Sequence, residues 1–422
     1  MSDLHHLLTF PKRPLERSFY VPEVTRLLSA GIPATYTLEQ AAAYEKGEDV
    51  TEEDSNTTPL HILCRSLPVF GSDSKLVEEE EKVVLELMDT LFEYGAGWNF
   101  LDYEGKHIGD LVLERGYPQS HRIYQRIVDA GVSAELLLRK IDGGEIEFID
   151  GPDGSDGESA EPKEQELAAS GAEKTTSSES APAPAATATA DNVDDDATAA
   201  DQATYLKTEL EYTDDALVTK ENRDGVMMDW ETDIMAMAAK SLVSTASQDE
   251  EECIVLNIGF GMGIIDNFIQ NEKAVTKHYI CEAHPDVLKR MKQDGWFEKP
   301  NVVVLAGRWQ DRLNELLDQG NVFFDGIYYD TFSEHYQDML DLYDVVVGLL
   351  KPQGTFSFFN GLGADRPVCY DVYHKIVQLD VANYGMECKY TNVDLKTLPN
   401  WTNVKRSYFN CNYYYHPEIR FV

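Results

Sequence analysis

CIVLNIGFGMGIIDNFIQ (Cys253 to Gln270) opens on a run that is apolar but for Asn257, breaks at three alternating glycines, and resumes as an amphipathic segment. The run Cys253 to Ile258 predicts a strand buried on both faces, and Ile264 onward predicts a helix. A glycine turn between strand and helix lets backbone amides approach a ligand closely and presents the positive end of the helix dipole to it. HYICE (His278 to Glu282) predicts a second strand. Its Glu282 falls about 20 residues beyond the glycines, where a carboxylate can accept both hydroxyls of an adenosine ribose. These segments predict an α/β domain that binds a nucleoside cofactor.

Three features further along narrow that cofactor. The glycines Gly259, Gly261 and Gly263 follow GxGxG spacing, whereas a dinucleotide pyrophosphate calls for GxGxxG. FFDGIYYDTF (Phe323 to Phe332) predicts a strand whose end places Asp330 at the carboxyl edge of the sheet, where such folds bind ligands. LLKPQGTFSFFN (Leu349 to Asn360) predicts a helix end, a turn and a new strand, and it resembles the LLKPGG turn of class I methyltransferases. The combination points to S-adenosylmethionine.

In order and interval, five segments resemble guanidinoacetate N-methyltransferase: VMMDWET (Val226 to Thr232), GFGMGI (Gly259 to Ile264), Glu282-Ala283-His284, Trp309-Gln310 and Tyr329-Asp330-Thr331. With what precedes it, the whole chain resembles the type IV protein arginine methyltransferases of fungi, which modify the internal (δ) guanidino nitrogen. The resemblance implies a Rossmann-like, seven-stranded class I methyltransferase domain over residues 204–422. It implies that Gly259, Phe260, Gly261, Met262, Gly263 and Ile264 hold the methionine part of the cofactor, Glu282 the ribose, and Ala283, His284, Trp309 and Gln310 the adenine. Tyr205, Tyr212, Met227 and Met235 match positions lining the smaller enzyme's site, and Asp330 matches its guanidino-binding carboxylate. Asn257 departs from the pattern, since an acid is usual just before the glycine turn. That change is expected to weaken recognition of the cofactor's amino group.

The chemistry sets its own requirements. Methyl transfer from a sulfonium is an in-line displacement, so a protein chiefly positions the nucleophile and excludes water. Arginine stays protonated up to a pKa above about 12, so carboxylates must bind the guanidinium, localise its charge and take a proton as the bond forms. Asp330 is expected to be base and orienter, with Glu231 as second clamp. His335 is a possible relay by position, although an exposed loop histidine is the plainer expectation.

Ahead of the enzyme, three segments echo one another: VPEVTRLLSAGIPA (Val21 to Ala34), Val83 to Gly116, and HRIYQRIVDAGV (His121 to Val132). Each has helical apolar spacing and a glycine expected at a helix C-cap with positive φ: Gly31, Gly95 and Gly131. Thr58-Pro59-Leu60-His61 matches the turn that opens an ankyrin repeat, and Glu104 to Glu114 occupies the equivalent place with Ile108 and Gly109 where Pro and Leu are usual. An acidic insert, Gly71 to Lys82, accounts for an interval longer than the usual repeat of about 33 residues. Residues 1–149 are therefore expected to form an α-helical ankyrin-like repeat domain, a fold that often presents a concave protein-binding face. Residues 150–203 contain hardly a large apolar side chain and are expected to be a disordered acidic linker.

Composition bounds the partners. At 422 residues with 43% hydrophobic content, the chain can bury a substantial core in two or three domains and should be soluble. A formal charge of -39 without a basic patch argues against direct nucleic-acid binding and favours a basic protein partner. Met1 to Phe10 lacks the pattern of a secretory leader, and no run of about 18 apolar residues predicts a membrane span. Six cysteines without CxxC pairs argue against a metal site and for reduced thiols in a cytoplasmic or nuclear compartment. A small-molecule guanidino methyltransferase would leave the N-terminal half unexplained, and an adaptor with an inactive fold would not need intact glycines, Glu282 and Asp330. The chain also shows neither the paired-glutamate loop nor the Thr-His-Trp loop of terminal-nitrogen arginine methyltransferases, and by resemblance this implies the δ product. The same resemblance implies a ribosomal protein as substrate.

Overall fold

The computed structural model describes residues 2–47, 56–72, 75–142, 201–245, 252–395 and 399–422. The expected acidic linker lies, except for its last residues, outside that set. Periodic apolar residues of the N-terminal half fold as helices α1 (Asp3–Leu8), α2 (Arg17–Ser29), α3 (Leu38–Lys46), α4 (Pro59–Ser66), α5 (Glu78–Glu93), α6 (Ile108–Glu114) and α7 (Arg122–Asp142). Two openings use the same device. The backbone N–H of Thr58 donates to His61 Nδ1 (3.2 Å) at the start of α4, and that of His107 donates to Asp110 Oδ2 (2.9 Å) at the start of α6. Gly31 and Gly95 follow α2 and α5 with φ of +94° and +85°, as expected.

Two expectations are corrected here. Glu78 to Glu81 belong to the first turn of α5, where a helix dipole favours acids, and Glu80 is buried against Arg13 (2.7 Å). Gly131 ends no helix and lies within α7. A Cβ there would fall 2.5 Å from Val372 Cγ2 and 3.0 Å from the Trp98 ring, so the glycine is set by close packing.

The C-terminal half opens with helix α8 (Gln202–Tyr205) and an antiparallel meander of β1 (Leu210–Tyr212), β2 (Ala216–Thr219) and β3 (Gly225–Met228). The chain then alternates: α9 (Thr232–Leu242), β4 (Ile254–Ile258), α10 (Ile264–Asn271), β5 (Lys277–Glu282), α11 (Pro285–Gln293), β6 (Val302–Ala306), α12 (Trp309–Gln319), β7 (Phe324–Tyr329), α13 (Tyr336–Leu349), β8 (Leu350–Phe358), α14 (Pro367–Ala382), β9 (Met386–Asp394) and β10 (Tyr413–Phe421). The main sheet has the order β6-β5-β4-β7-β8-β10-β9, parallel except for β10, which runs antiparallel to both its neighbours. The order reverses at β4, which places the ends of β4, β5 and β7 around one crevice. The turn expected in LLKPQG is absorbed into β8: pairing jumps from Phe324↔Leu350 to Gly326↔Thr355, which loops out Lys351 to Gly354.

The two halves pack together as one compact unit comprising Met1–Val132 and Asp191–Val422. The rest, Ser133–Ala190, contributes only the last turns of α7 to the described structure. The buried Asp371 on α14 accepts hydrogen bonds from Tyr124 (2.7 Å), Gln119 (3.2 Å) and Tyr415 (3.0 Å). Lys375 pairs with Asp129 at 2.8 Å, and Arg366 lies 3.2 Å from His107 Nε2.

Replacing Gly131 with Ala tests this packing. Inside a helix the change ordinarily stabilises by about 0.5–1 kcal/mol, whereas forcing an extra methyl into a filled interface costs about 1–3 kcal/mol. The steric term is expected to win, so the denaturant midpoint of Gly131→Ala should fall; a raised midpoint would show that the interface has room.

Candidate active site

Three backbone hydrogen bonds fix the crevice. Gly259 N donates to Cys281 O (2.8 Å), Asp330 N to Ile258 O (2.9 Å), and Gly307 N to Glu282 O (2.8 Å). The first glycine is dictated by sterics, because a Cβ on Gly259 (φ +94°) would lie 1.8 Å from the carbonyl oxygen of Asp330. Gly261 is overlain by Met227, whose sulfur accepts from Met262 N at 3.2 Å. Tyr212 grips the same turn by donating to Gly261 O at 3.0 Å, outside the cavity wall.

A cavity opens beside this turn, lined by Tyr205, Met227, Gly259, Gly261, Glu282, Ala283, Trp309 and Asp330, among others. Glu282 is buried, and its carboxylate accepts from Phe260 N (2.8 Å) and His284 N (2.6 Å), with lone pairs left over. Burial raises its pKa and these backbone donors oppose the rise. His284 accepts from Asp286 N through Nδ1 (3.2 Å), so its Nε2 carries the hydrogen donated to Tyr205 O (3.1 Å); burial lowers its pKa. The Tyr205 ring sits 4.8 Å from both His284 and Phe332.

The remaining expected residues fall into place differently. Gly263 caps α10 against the Phe260 ring, and Phe260 is itself buried in the core. Ile264 begins α10, and Gln310 stands beside Trp309 at the start of α12. Met235 is fully buried in the core with Leu217 and Ile265 and lines neither cavity described here. Asn257 does not leave the turn without an acid: its amide donates to Gly259 O (2.8 Å) and to the buried carboxylate of Asp266 (2.9 Å).

A second cavity of about 960 Å³ meets the first at Asp330, Thr331, Phe332 and Glu334, and it also takes in Glu231, Phe359 and Tyr408. Glu231 sits at the junction of a 3₁₀ turn and α9, is 2% exposed, and accepts a short hydrogen bond from Tyr408. Burial drives its pKa well above the ordinary carboxylate range, and the nearby Asp330 adds to the rise. Burial likewise pushes Asp330 up to about 7, with Asp266 contributing, and its Oδ2 is buried without a hydrogen-bond partner among the described residues. No ion pair to either acid is seen among the described residues, and burial without a basic partner favours their neutral forms. His335 is exposed at the N-cap of α13, where its N–H donates to Asp338 (2.7 Å), and it borders the second cavity.

Glu334, Gln202, Phe332 and Tyr408 also build the site, and no sequence signal marks them. Glu334 follows Asp330 in an irregular loop, and Tyr408 arrives from far along the chain.

A parallel sheet with its seventh strand reversed is the arrangement of class I S-adenosylmethionine-dependent methyltransferases, and the first cavity fits that cofactor. The glycine turn leaves its wall open, Glu282 offers free lone pairs to a diol, and Asp330, next to the turn, has an oxygen without a hydrogen-bond partner among the described residues.

Known proteins agree. The family model of guanidinoacetate N-methyltransferase matches residues 197–419. Over 422 residues the chain is 78% identical to protein arginine N-methyltransferase 2 of Kluyveromyces lactis, with 100% of each chain covered. The proteins of the same name from Eremothecium gossypii and Saccharomyces cerevisiae are 63% and 60% identical, again over 100% of both chains. The chain belongs to this family of fungal arginine methyltransferases.

Asp330 titration gives a stability test. Its folded pKa of about 7 against 3.8 means that the native state keeps a proton the unfolded chain has already lost. Stability is therefore lost as pH rises from about 4 to about 7 and stays low above that, by on the order of 4 kcal/mol at most. Asp330→Asn should consequently unfold at higher denaturant than the parent at pH 8 and show no such advantage at pH 4. Equal midpoints at pH 8 would show that the carboxylate is not desolvated.

Proposed function

We propose that this protein transfers a methyl group from S-adenosylmethionine to the internal (δ) guanidino nitrogen of an arginine in another protein. The observation that carries the proposal is two buried acids with no ion pair among the described residues, Asp330 where the two cavities meet and Glu231 in the wall of the second. When bound, the cofactor supplies a methyl carbon already activated by its sulfonium.

Asp330 and Glu231 then bind the guanidinium by charge-assisted hydrogen bonds, which holds its positive charge away from the attacking nitrogen. Arrival of the cation favours ionisation of both acids, reversing the upward pull of burial. Tyr408 keeps Glu231 oriented through its hydroxyl. As the N–C bond forms and the C–S bond breaks, Asp330 accepts the proton displaced from the nitrogen. Phe359, Phe332 and Leu362 of the second cavity exclude water from the charges.

The substrate's protein nature is supported by the N-terminal half, read as an ankyrin-like domain (residues 1–149), joined through the acidic linker (150–203) to the methyltransferase domain (204–422). The resemblance noted above suggests a ribosomal protein as target, met in the cytoplasm or nucleus. Among the described residues, no helix is long and apolar enough to cross a membrane.

The test is incubation with radiolabelled cofactor and either guanidinoacetate or arginine-containing protein, followed by mass spectrometry of the labelled arginine. Label should enter protein, with fragments reporting the internal nitrogen, and Asp330→Ala should lower kcat by a factor of about 100 or more. Label in guanidinoacetate alone would replace this proposal with a metabolite enzyme, and terminal-nitrogen fragments would overturn the δ assignment.

A further inference from the structure

Glu334 gathers five side chains around one carboxylate. Its Oε1 accepts from Gln202 Nε2 (2.5 Å), Trp309 Nε1 (2.8 Å) and Gln310 Nε2 (3.1 Å). Its Oε2 accepts from Thr331 (2.6 Å) and from the Tyr329 hydroxyl. The indole N–H can only donate, so it requires acceptor oxygens at Glu334. A carboxylate that accepts throughout dictates how both glutamine amides are turned, nitrogen toward Glu334 and oxygen away.

That orientation leaves a deficit. Gln202 Oε1 and Gln310 Oε1 are both buried without a hydrogen-bond partner among the described residues. Gln202 lines the first cavity, as do Ala283 and Trp309. A buried amide oxygen left unpaired costs about 1–3 kcal/mol, so the arrangement suits a ligand edge that donates.

We propose that Glu334 is a positioning residue that locks Gln202 as the acceptor for the 6-amino group of the cofactor's base. The site thereby selects a 6-aminopurine over a 6-oxopurine. The proposal rests on the S-adenosylmethionine assignment and adds the element that distinguishes its base. A 6-amino group brings two N–H donors, whereas a 6-oxo group would set oxygen against oxygen.

Calorimetric titration with S-adenosylhomocysteine and its deaminated analogue, S-inosylhomocysteine, tests this on the full chain. The parent protein should bind the amino compound more than about tenfold more tightly. Gln202→Ala should weaken the amino compound, leave the oxo compound nearly unchanged, and raise KM for S-adenosylmethionine with little loss of kcat. Glu334→Gln brings an N–H of its own and lets the neighbouring amides turn over, so the preference should shrink to about threefold or less. Thermal midpoints of the ligand-free variants, close to that of the parent, would exclude a merely structural effect. If both compounds bind the parent equally, the proposal is overturned and the cofactor assignment stands. If S-adenosylhomocysteine fails to bind, the cofactor assignment falls and takes the proposal with it.

Discussion

Everything catalytic here hangs on the closeness of two backbones, Gly259 at the end of β4 and Asp330 at the end of β7. With a would-be Cβ at 1.8 Å from the Asp330 carbonyl, no other residue can occupy position 259 without parting the strands. The hydrogen bond from Asp330 N to Ile258 O fixes the same junction from the other side. The turn proposed to receive the cofactor and the carboxylate proposed to receive the guanidinium are therefore held in one register. Methyl transfer needs this, because an in-line displacement tolerates little error in the distance between donor and acceptor.

The strand-turn-helix unit was legible in the sequence because its determinants are local: apolar runs, alternating glycines and an acid at a fixed interval. Resemblance and local spacing each fell short where tertiary packing decides. Met235 was expected in the cavity wall because it matches a position of the smaller enzyme's site, whereas its side chain packs in the core, where methionines at helical spacing usually lie. Gly131 looked like a helix terminus because glycine usually marks one, but the close approach of α14 imposed it inside a helix. Glu334 and Tyr408 were invisible for a different reason. Their roles arise from loops that converge only after the sheet has formed, and neither lies at a motif interval.

Asn257, the departure from the pattern before the glycine turn, is tied to a buried acid nearby. It links Asp266 on α10 to the turn. Asp266 also lies within 3.2 Å of His278 on β5, so a single buried carboxylate touches both the strand that leads into the turn and the strand that ends in Glu282. Its charge also reaches Asp330, where it adds to the upward pull of burial.

The contact surface around Asp371 has a further consequence for how the chain can be divided. Val368 and Val372 on α14 pack so closely against Gly109 and Gly131 that the helical half acts as the outer wall of the enzyme's own core. Separated from that wall, α14 would turn apolar side chains to water and lose the Tyr124 and Gln119 donors that satisfy Asp371. The N-terminal half is thus closer to a buttress than to an appendage. Sequence drift in either half is constrained by the other, as it is between the layers of a single domain.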